Sequence, residues 1–361
     1  MSASPLPATD EPATSDVLAR AAAADVRVDA RLATAIADIF LPERDRLDER
    51  TRAAVARLVE ATVAAAERDI AGHAARVLAT RGHGVTAQRL SANHPLTLPR
   101  LATAGLLRDA DIMAEMIAQA RIDLIDEALV TNRAPGTRAT LLARLTESRD
   151  GVIRSRAVTY LVADSRRRGP AAARRAELPA ALHQRLAWWI AAALREHLAA
   201  AADGAVDRAL VEATQRSLDA QVDCDRVAML AVNLAAAIAP DAGDLPRLLL
   251  DTLVEGRLAL FVAVLAQAVG IDPVEARGLV LDTDSERLWL ALRGVGLSRE
   301  EIAQLGWLLS EADGWRDAEA LADVLGPIAA LAPDMAAQVV APLTLDRDYR
   351  AAIRALARTQ P

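Results

Sequence analysis

A chain of 361 residues, 53% of them hydrophobic, can bury a sizeable core, and its net charge of −7 works against the basic surface that a general nucleic-acid binder presents to phosphate. All 42 positive charges are arginine, which excludes a P-loop NTPase, a protein kinase and a pyridoxal enzyme, since each needs a lysine for its chemistry. Cys224 is the only cysteine, so intramolecular disulfides, multi-cysteine zinc sites and CxxC redox pairs are excluded, and a reducing, cytoplasmic compartment is expected.

The apolar residues are mainly Ala, Leu and Val, with two Phe, two Tyr and five Trp. Alanine and leucine are the strongest helix formers, and small side chains let helices approach closely, so an all-α fold is expected. The opening "MSASPLPATDEPATSD" has no basic region followed by a hydrophobic core, and residues 1–15 read as a disordered tail instead of a signal peptide. Residues 48–80, "DERTRAAVARLVEATVAAAERDIAGHAARVLAT", set Val55, Leu58, Val59, Val63, Ala66, Ile70 and Val77 on one helical face, with arginines and glutamates opposite. Gly82 and Gly84 mark its end.

From residue 96 the rhythm shortens. "LPRLATAGLL", "ADIMAEMIAQA", "IDLIDEALVTN", "TRATLLARLTES" and "VIRSRAVTYLVADS" are each about three helical turns, separated by Asp, Gly or Pro. Such units bury a face only by stacking on neighbours, the logic of a HEAT-like array. "SRRRGPAAARRAELP", residues 165–179, interrupts the pattern with five arginines and a Gly-Pro pair. Three longer helical runs follow, closed by Pro240 and Gly243. These divisions predict a HEAT-like repeat domain over 16–168, a middle helical bundle over 169–243 and a C-terminal helical domain over 244–361.

The most apolar stretch, "LALFVAVLAQAVGI" at 258–271, falls short of the roughly 20 residues that cross a bilayer and contains Gln267, so it reads as a buried core helix and no membrane span is expected. "VGIDPVEARGL" at 269–279 and "VGLSREEIAQL" at 295–305 repeat one pattern at an offset of 26 residues. In each, glycine closes a helix, Asp272 or Ser298 caps the next, and Glu275 or Glu301 completes a capping box; Thr283 and Glu286 suggest a third box. The segment 283–312 has the outline of a DNA-reading helix-turn-helix. Its second helix, however, carries Glu300, Glu301, Glu311 and Asp313, which phosphate would repel, while Ile302, Leu305, Leu309 and Ala312 form a core stripe.

The runs "LLRDADIMAEMIAQARIDLIDEALV" at 106–130 and "LLARLTESRDGVIRSRAVTYLVADSRRR" at 141–168, with "EGRLALFVAVLAQAVGIDPVEARGLVLDTDSERLWLALRGVGLSREEI" at 255–302, are spread over about half of the chain. In order and content they resemble a family of HEAT-like helical proteins widespread in alphaproteobacteria and known only as a domain of unknown function. The resemblance implies a helical fold and a bacterial, cytoplasmic setting, and it supplies no catalytic residue.

Candidate chemistry is sparse. His73, His83, His94, His183 and His197 form no HExxH or similar pair; His73 and His197 read as boundary histidines on the core side of their helices and His83 as a turn residue. Asp109 and Asp111, then Asp123, Asp126 and Glu127, cluster around one helical stretch, where an N-cap is the simpler role for Asp109. No GxSxG elbow, no GxGxxG and no strand pattern to carry one is present, and Cys224 has no histidine near it in sequence. No catalytic residue, cofactor or metal ligand is therefore assigned.

Two features suggest recognition. Arg166, Arg167, Arg168, Arg174 and Arg175 could hold a phosphate or an acidic partner. Trp188 is turned toward Gln184, Arg185 and Arg195, because Leu182, Leu186, Trp189, Ile190 and Ala193 define the buried stripe of its helix. The expectation is a non-enzymatic scaffold or adaptor that binds a protein partner on stacked-helix surfaces, with Trp188, Arg185, Arg195 and the five linker arginines as contact candidates. The alternative is a DNA-associated regulator using 283–312.

Overall fold

The computed structural model describes residues 46–92, 97–133, 141–169, 174–198, 204–220, 226–283 and 286–358. The expected tail, His94 and Cys224 lie outside them. The described residues contain helices and no strand, so the fold is all-α. In chain order the helices are α1 Glu49–Thr80, α2 Gly84–Ser91, α3 Thr97–Thr103, α4 Ala110–Asn132, α5 Leu141–Thr146, α6 Gly151–Arg167, α7 Ala180–His197, α8 Gly204–Asp219 and α9 Val227–Ile238. They continue as α10 Leu245–Val254, α11 Leu258–Val269, α12 Pro273–Leu281, α13 Arg287–Gly294, α14 Arg299–Ala312, α15 Ala318–Ala330, α16 Pro333–Val340 and α17 Arg347–Arg358.

Local hydrogen bonds set most boundaries. Helix α1 ends where Gly82 takes φ +86° and the His83 amide reaches back to the Leu78 carbonyl at 2.9 Å, which satisfies a carbonyl left over by the helix. Asp109 starts α4 by accepting from the Ile112 amide at 3.0 Å, and Asp150 does the same for α6. Ser298 caps α14 in a complete capping box: Glu301 N donates to Ser298 Oγ at 3.3 Å and Ser298 N to Glu301 Oε2 at 2.7 Å. Asp272 caps α12, but Glu275 does not complete a box there; its carboxylate is turned to Arg350.

Two sequence units, "ADIMAEMIAQA" and "IDLIDEALVTN", merge into the single 23-residue helix α4. Asp123, near the start of the second unit, is tolerated in mid-helix because Arg167 and Arg174 hold its carboxylate. Helix α4 serves two cores. Its Ile112, Met116 and Ala120 pack with residues of α1, α7 and α8, among them Ile70, Leu78 and Ile190. Its Ile125 and Leu129 join a second core made by α6 and α9 through α15, among them Tyr160, Leu249, Phe261, Leu292 and Leu305. Neither core follows chain order: α1 lies along α8, and α9 lies against both α6 and α11. Gly256, at φ +59°, brings the turn before α11 so close to α4 that an added Cβ would stand 2.7 Å from Val130 Cγ2 and 2.8 Å from the Asp126 carbonyl.

Helix α11 is the stretch "LALFVAVLAQAV", buried along nearly its whole length. No single helix among the described residues is long and apolar enough to cross a membrane.

Candidate functional site

Five of the arginines singled out from the sequence are paired with carboxylates of the chain itself, Arg185 and Arg195 at the surface. Arg167 forks onto both oxygens of Asp123, Nε at 3.1 Å and Nη2 at 3.0 Å. Arg168 donates to Asp164 at 2.7 Å and to the Gly256 carbonyl, and Arg174 donates to Glu127 at 3.0 Å. Arg185 pairs with Asp109 at 2.6 Å and Arg195 with Asp207 at 2.5 Å. Arg166 and Arg175 are exposed, and Trp188 is half-buried. Trp189 is half-buried too, and it packs on the core that contains Leu186 and Ile190. His197 is exposed, a correction to its expected core-side place, since Leu194 and Leu198 take the buried positions of that turn. His73, as expected, sits at the boundary, its Nδ1 3.5 Å from Arg76; burial first, then Arg216 and Arg76, hold its pKa below the ordinary histidine value.

The linker arginines tie α4 to α6 and to the turn before α11. Asp164 also accepts Arg257, and Asp126 accepts the Leu258 amide at 2.8 Å, closing the start of α11 from a distance. Asp126 is largely, though not completely, buried. Burial pushes its carboxyl up to about 7, against the pull of Arg168 and the Leu258 amide.

A more apolar concave feature lies elsewhere, where α4, α9, α11 and α12 meet residues 174–179. A cavity of about 320 Å³ is walled by Ile122, Val232, Val262 and Ala263, with Met229 and Val274 at its mouth, 36% and 50% exposed. Its floor is polar. Glu115 lies on the inner face of α4 at 8% exposure, and Arg277 of α12 grips both its oxygens at 2.9 and 2.6 Å. One turn on, Gln119 donates to Glu115 at 2.8 Å and to the Glu177 carbonyl at 3.1 Å, and accepts the Glu177 amide at 2.9 Å. The Glu177 carboxylate accepts the Val227 amide at 2.8 Å and so caps α9, whose own N-cap residue supplies no side-chain bond. Burial works to raise the Glu115 pKa; the Arg277 fork, Gln119 and the charge of Arg226 outweigh it and hold the carboxyl below its ordinary value.

Glu115, Pro179, Val274 and Arg277 also border a wider cavity of about 740 Å³ beneath α17, where Asp111 and Glu275 face Arg287, Arg347 and Arg350. Apolar walls, an ionised but satisfied floor and a charged far end suit the binding of an amphipathic surface. Of the sequence candidates only Arg167 borders this groove. The missed signal was on α4: Glu115 and Gln119 fall on the stripe of Ile112, Met116 and Ala120, and a polar residue at a core position needs a partner.

The second helix of the segment 283–312 turns Glu300, Gln304, Trp307 and Glu311 outward, with Trp307 58% exposed, while Ile302, Leu305 and Leu309 are buried. No group of three or more His, Cys, Asp or Glu side chains among the described residues is arranged to hold a metal ion.

Residues 139–341 match a protein family described as "Uncharacterised protein conserved in bacteria (DUF2336)". No curated protein and no solved structure matches the chain.

Proposed function

The chain belongs to this family of uncharacterised bacterial proteins, and for it we propose a role as a non-enzymatic scaffold that receives an amphipathic helix of a partner protein in the groove between α4, α9, α11 and α12. The observation that carries the reading is the pairing of exposed Met229 and Val274 at the mouth with a floor whose charges already satisfy one another. Methionine adapts to the shape of an apolar partner, and helix-in-groove recognition relies on such anchors. The floor supports binding over acid–base chemistry: a carboxyl held below its ordinary pKa by a forked guanidinium has neither the proton nor the basicity that such chemistry asks for at neutral pH.

A DNA-reading role for 283–312 fits less well, because the outward face of α14 is acidic around Trp307. Fluorescence anisotropy with mixed duplex at about 0.15 M salt is expected to show no saturable binding tighter than roughly micromolar.

The groove is tested by affinity capture from the native cell with three variants of the full chain. Met229→Asp and Val274→Asp are expected to lose the partner that the wild type retains, whereas Val211→Asp, at an equally exposed valine on α8, keeps it. Retention by all three, or loss by all three, refutes a groove-specific contact.

A further inference from the structure

Helix α6 turns a patterned stripe to solvent. Arg154, Val158, Val162 and Arg166 follow one another at four-residue steps, and all four are exposed, the valines at 46% and 45%. Steps of four keep side chains on one side of a helix. The Arg154 guanidinium donates to the Ser148 carbonyl at 2.9 Å, and among the described residues neither Arg154 nor Arg166 forms an ion pair. Asp164, the only carboxylate of α6, is buried and engaged with Arg168 and Arg257. The neighbouring α9 carries no charged residue at all. The stripe is therefore basic at its ends and apolar between them.

Helix α14 carries the inverse. Glu300, Gln304, Trp307 and Glu311 form its outward stripe, with the indole between two carboxylates that form no ion pair among the described residues. Arg299, the one cation of α14, stands about 100° round the helix from Glu300. The charged residues of α15, which packs against α14, are Glu319 and Asp323, both exposed. The two stripes also match in length. At 1.5 Å per residue the end charges are about 18 Å apart along α6 and about 16.5 Å apart along α14. A lone exposed apolar side chain is ordinary. Two apolar patches framed by opposite charges at one spacing are complementary.

We propose that these stripes bind each other between copies of this chain, α6 of one copy against α14 of the next. The Trp307 indole lies across Val158 and Val162, and Arg154 and Arg166 fork onto Glu300 and Glu311 at the two ends. The occupant of the α6 stripe is a second copy because α14 supplies the order it asks for: carboxylate, apolar anchor, carboxylate at the right distance. Each copy presents both stripes and they differ, so the contact is head-to-tail and either adds copies in a row or closes a ring. It lies apart from the partner groove and does not depend on that reading.

The test is sedimentation velocity of the full chain from about 2 to 200 μM, a range suited to a small interface, at about 0.05 M and about 0.5 M salt. The average mass is expected to rise with concentration at the lower salt and much less at the higher, where exposed charges are screened. Trp307→Ala should weaken the association at least about tenfold. The double variant Arg154→Glu with Arg166→Glu, and the double variant Glu300→Arg with Glu311→Arg, should each be monomeric alone, because like charges then meet. Mixed, they should associate again, since the unchanged α14 stripe of the first meets the unchanged α6 stripe of the second. A wild type that stays monomeric throughout overturns the proposal, and one that does so yet sediments with phosphatidylglycerol vesicles assigns the α6 stripe to anionic lipid instead. Association of wild-type strength in Trp307→Ala also overturns it, as does a mixture that stays monomeric although both double variants melt like the wild type.

Discussion

Replacing Arg277 by alanine removes the counter-ion of a carboxylate that has nowhere else to go. Glu115 keeps 10% of its side chain exposed, and without the fork its remaining bond is the 2.8 Å contact from Gln119. Breaking a buried pair from one side typically costs about 3–5 kcal/mol, a large share of a domain's total stability. The loss has a pH signature. In the wild type the Glu115 pKa is held below its ordinary 4.5, so its contribution is present above that value and disappears as pH falls through the folded pKa. In Arg277→Ala burial acts unopposed and the folded pKa rises, so the variant takes up a proton at higher pH and is relieved of the buried charge. The stability difference should therefore be largest near pH 7.5 and shrink toward pH 5, with titrations common to both proteins cancelling. Urea denaturation followed by circular dichroism at several pH values measures it. The double variant Glu115→Gln with Arg277→Met, which leaves no buried charge, should recover most of the loss. A cost for Arg277→Ala below about 1 kcal/mol at pH 7.5, or one independent of pH, refutes the assignment of this pair to the interior.

Asp126→Asn preserves the bond from the Leu258 amide but not the titration. Because the folded pKa is raised from 3.8 to about 7, the wild type should lose stability as pH climbs through that window, by on the order of 4 kcal/mol, and the variant should be flatter; parallel pH profiles of unfolding would contradict this. Gly256→Ala combines a left-handed backbone with a clash against Val130 and the Asp126 carbonyl, and should cost about 2–5 kcal/mol in denaturant melts; a loss below about 1 kcal/mol would show that the turn can shift. Trp189→Ala should cost about 3 kcal/mol, since the ring packs on the Leu186 and Ile190 core, and Trp188→Ala clearly less; equal losses in paired melts would place both rings inside.

What the sequence disclosed well was mostly decided within four residues, although the box expected at Glu275 is lost to a distant arginine. The Asp109 and Ser298 caps, the glycine stop at 82 and the stripe of α1 depend on neighbours along the chain, and each is where its pattern placed it. Helix α4 was split because each half by itself has the length of a complete three-turn unit; that it runs on is decided by packing, since its two ends belong to different cores. The partner in the groove lay at longer range: Glu115 falls on the core stripe of α4, but Arg277 is 162 positions away and nothing local names it as the counter-ion. The linker arginines were legible as a cluster. Their use as ties to Asp123 and Asp164 was not, because the carboxylates sit on helices that only tertiary packing brings near.

Helix α4 contributes to both cores, Ile112 through Ala120 to one and Ile125 through Leu129 to the other. At 1.5 Å per residue its 23 residues form a beam about 35 Å long. A beam shared in this way cannot melt at one end without withdrawing side chains from the other, so the two cores should behave as one cooperative unit. Native-state hydrogen exchange would show it: the most protected amides of α1 and of α11 should exchange through the same opening, with one free energy and one denaturant slope.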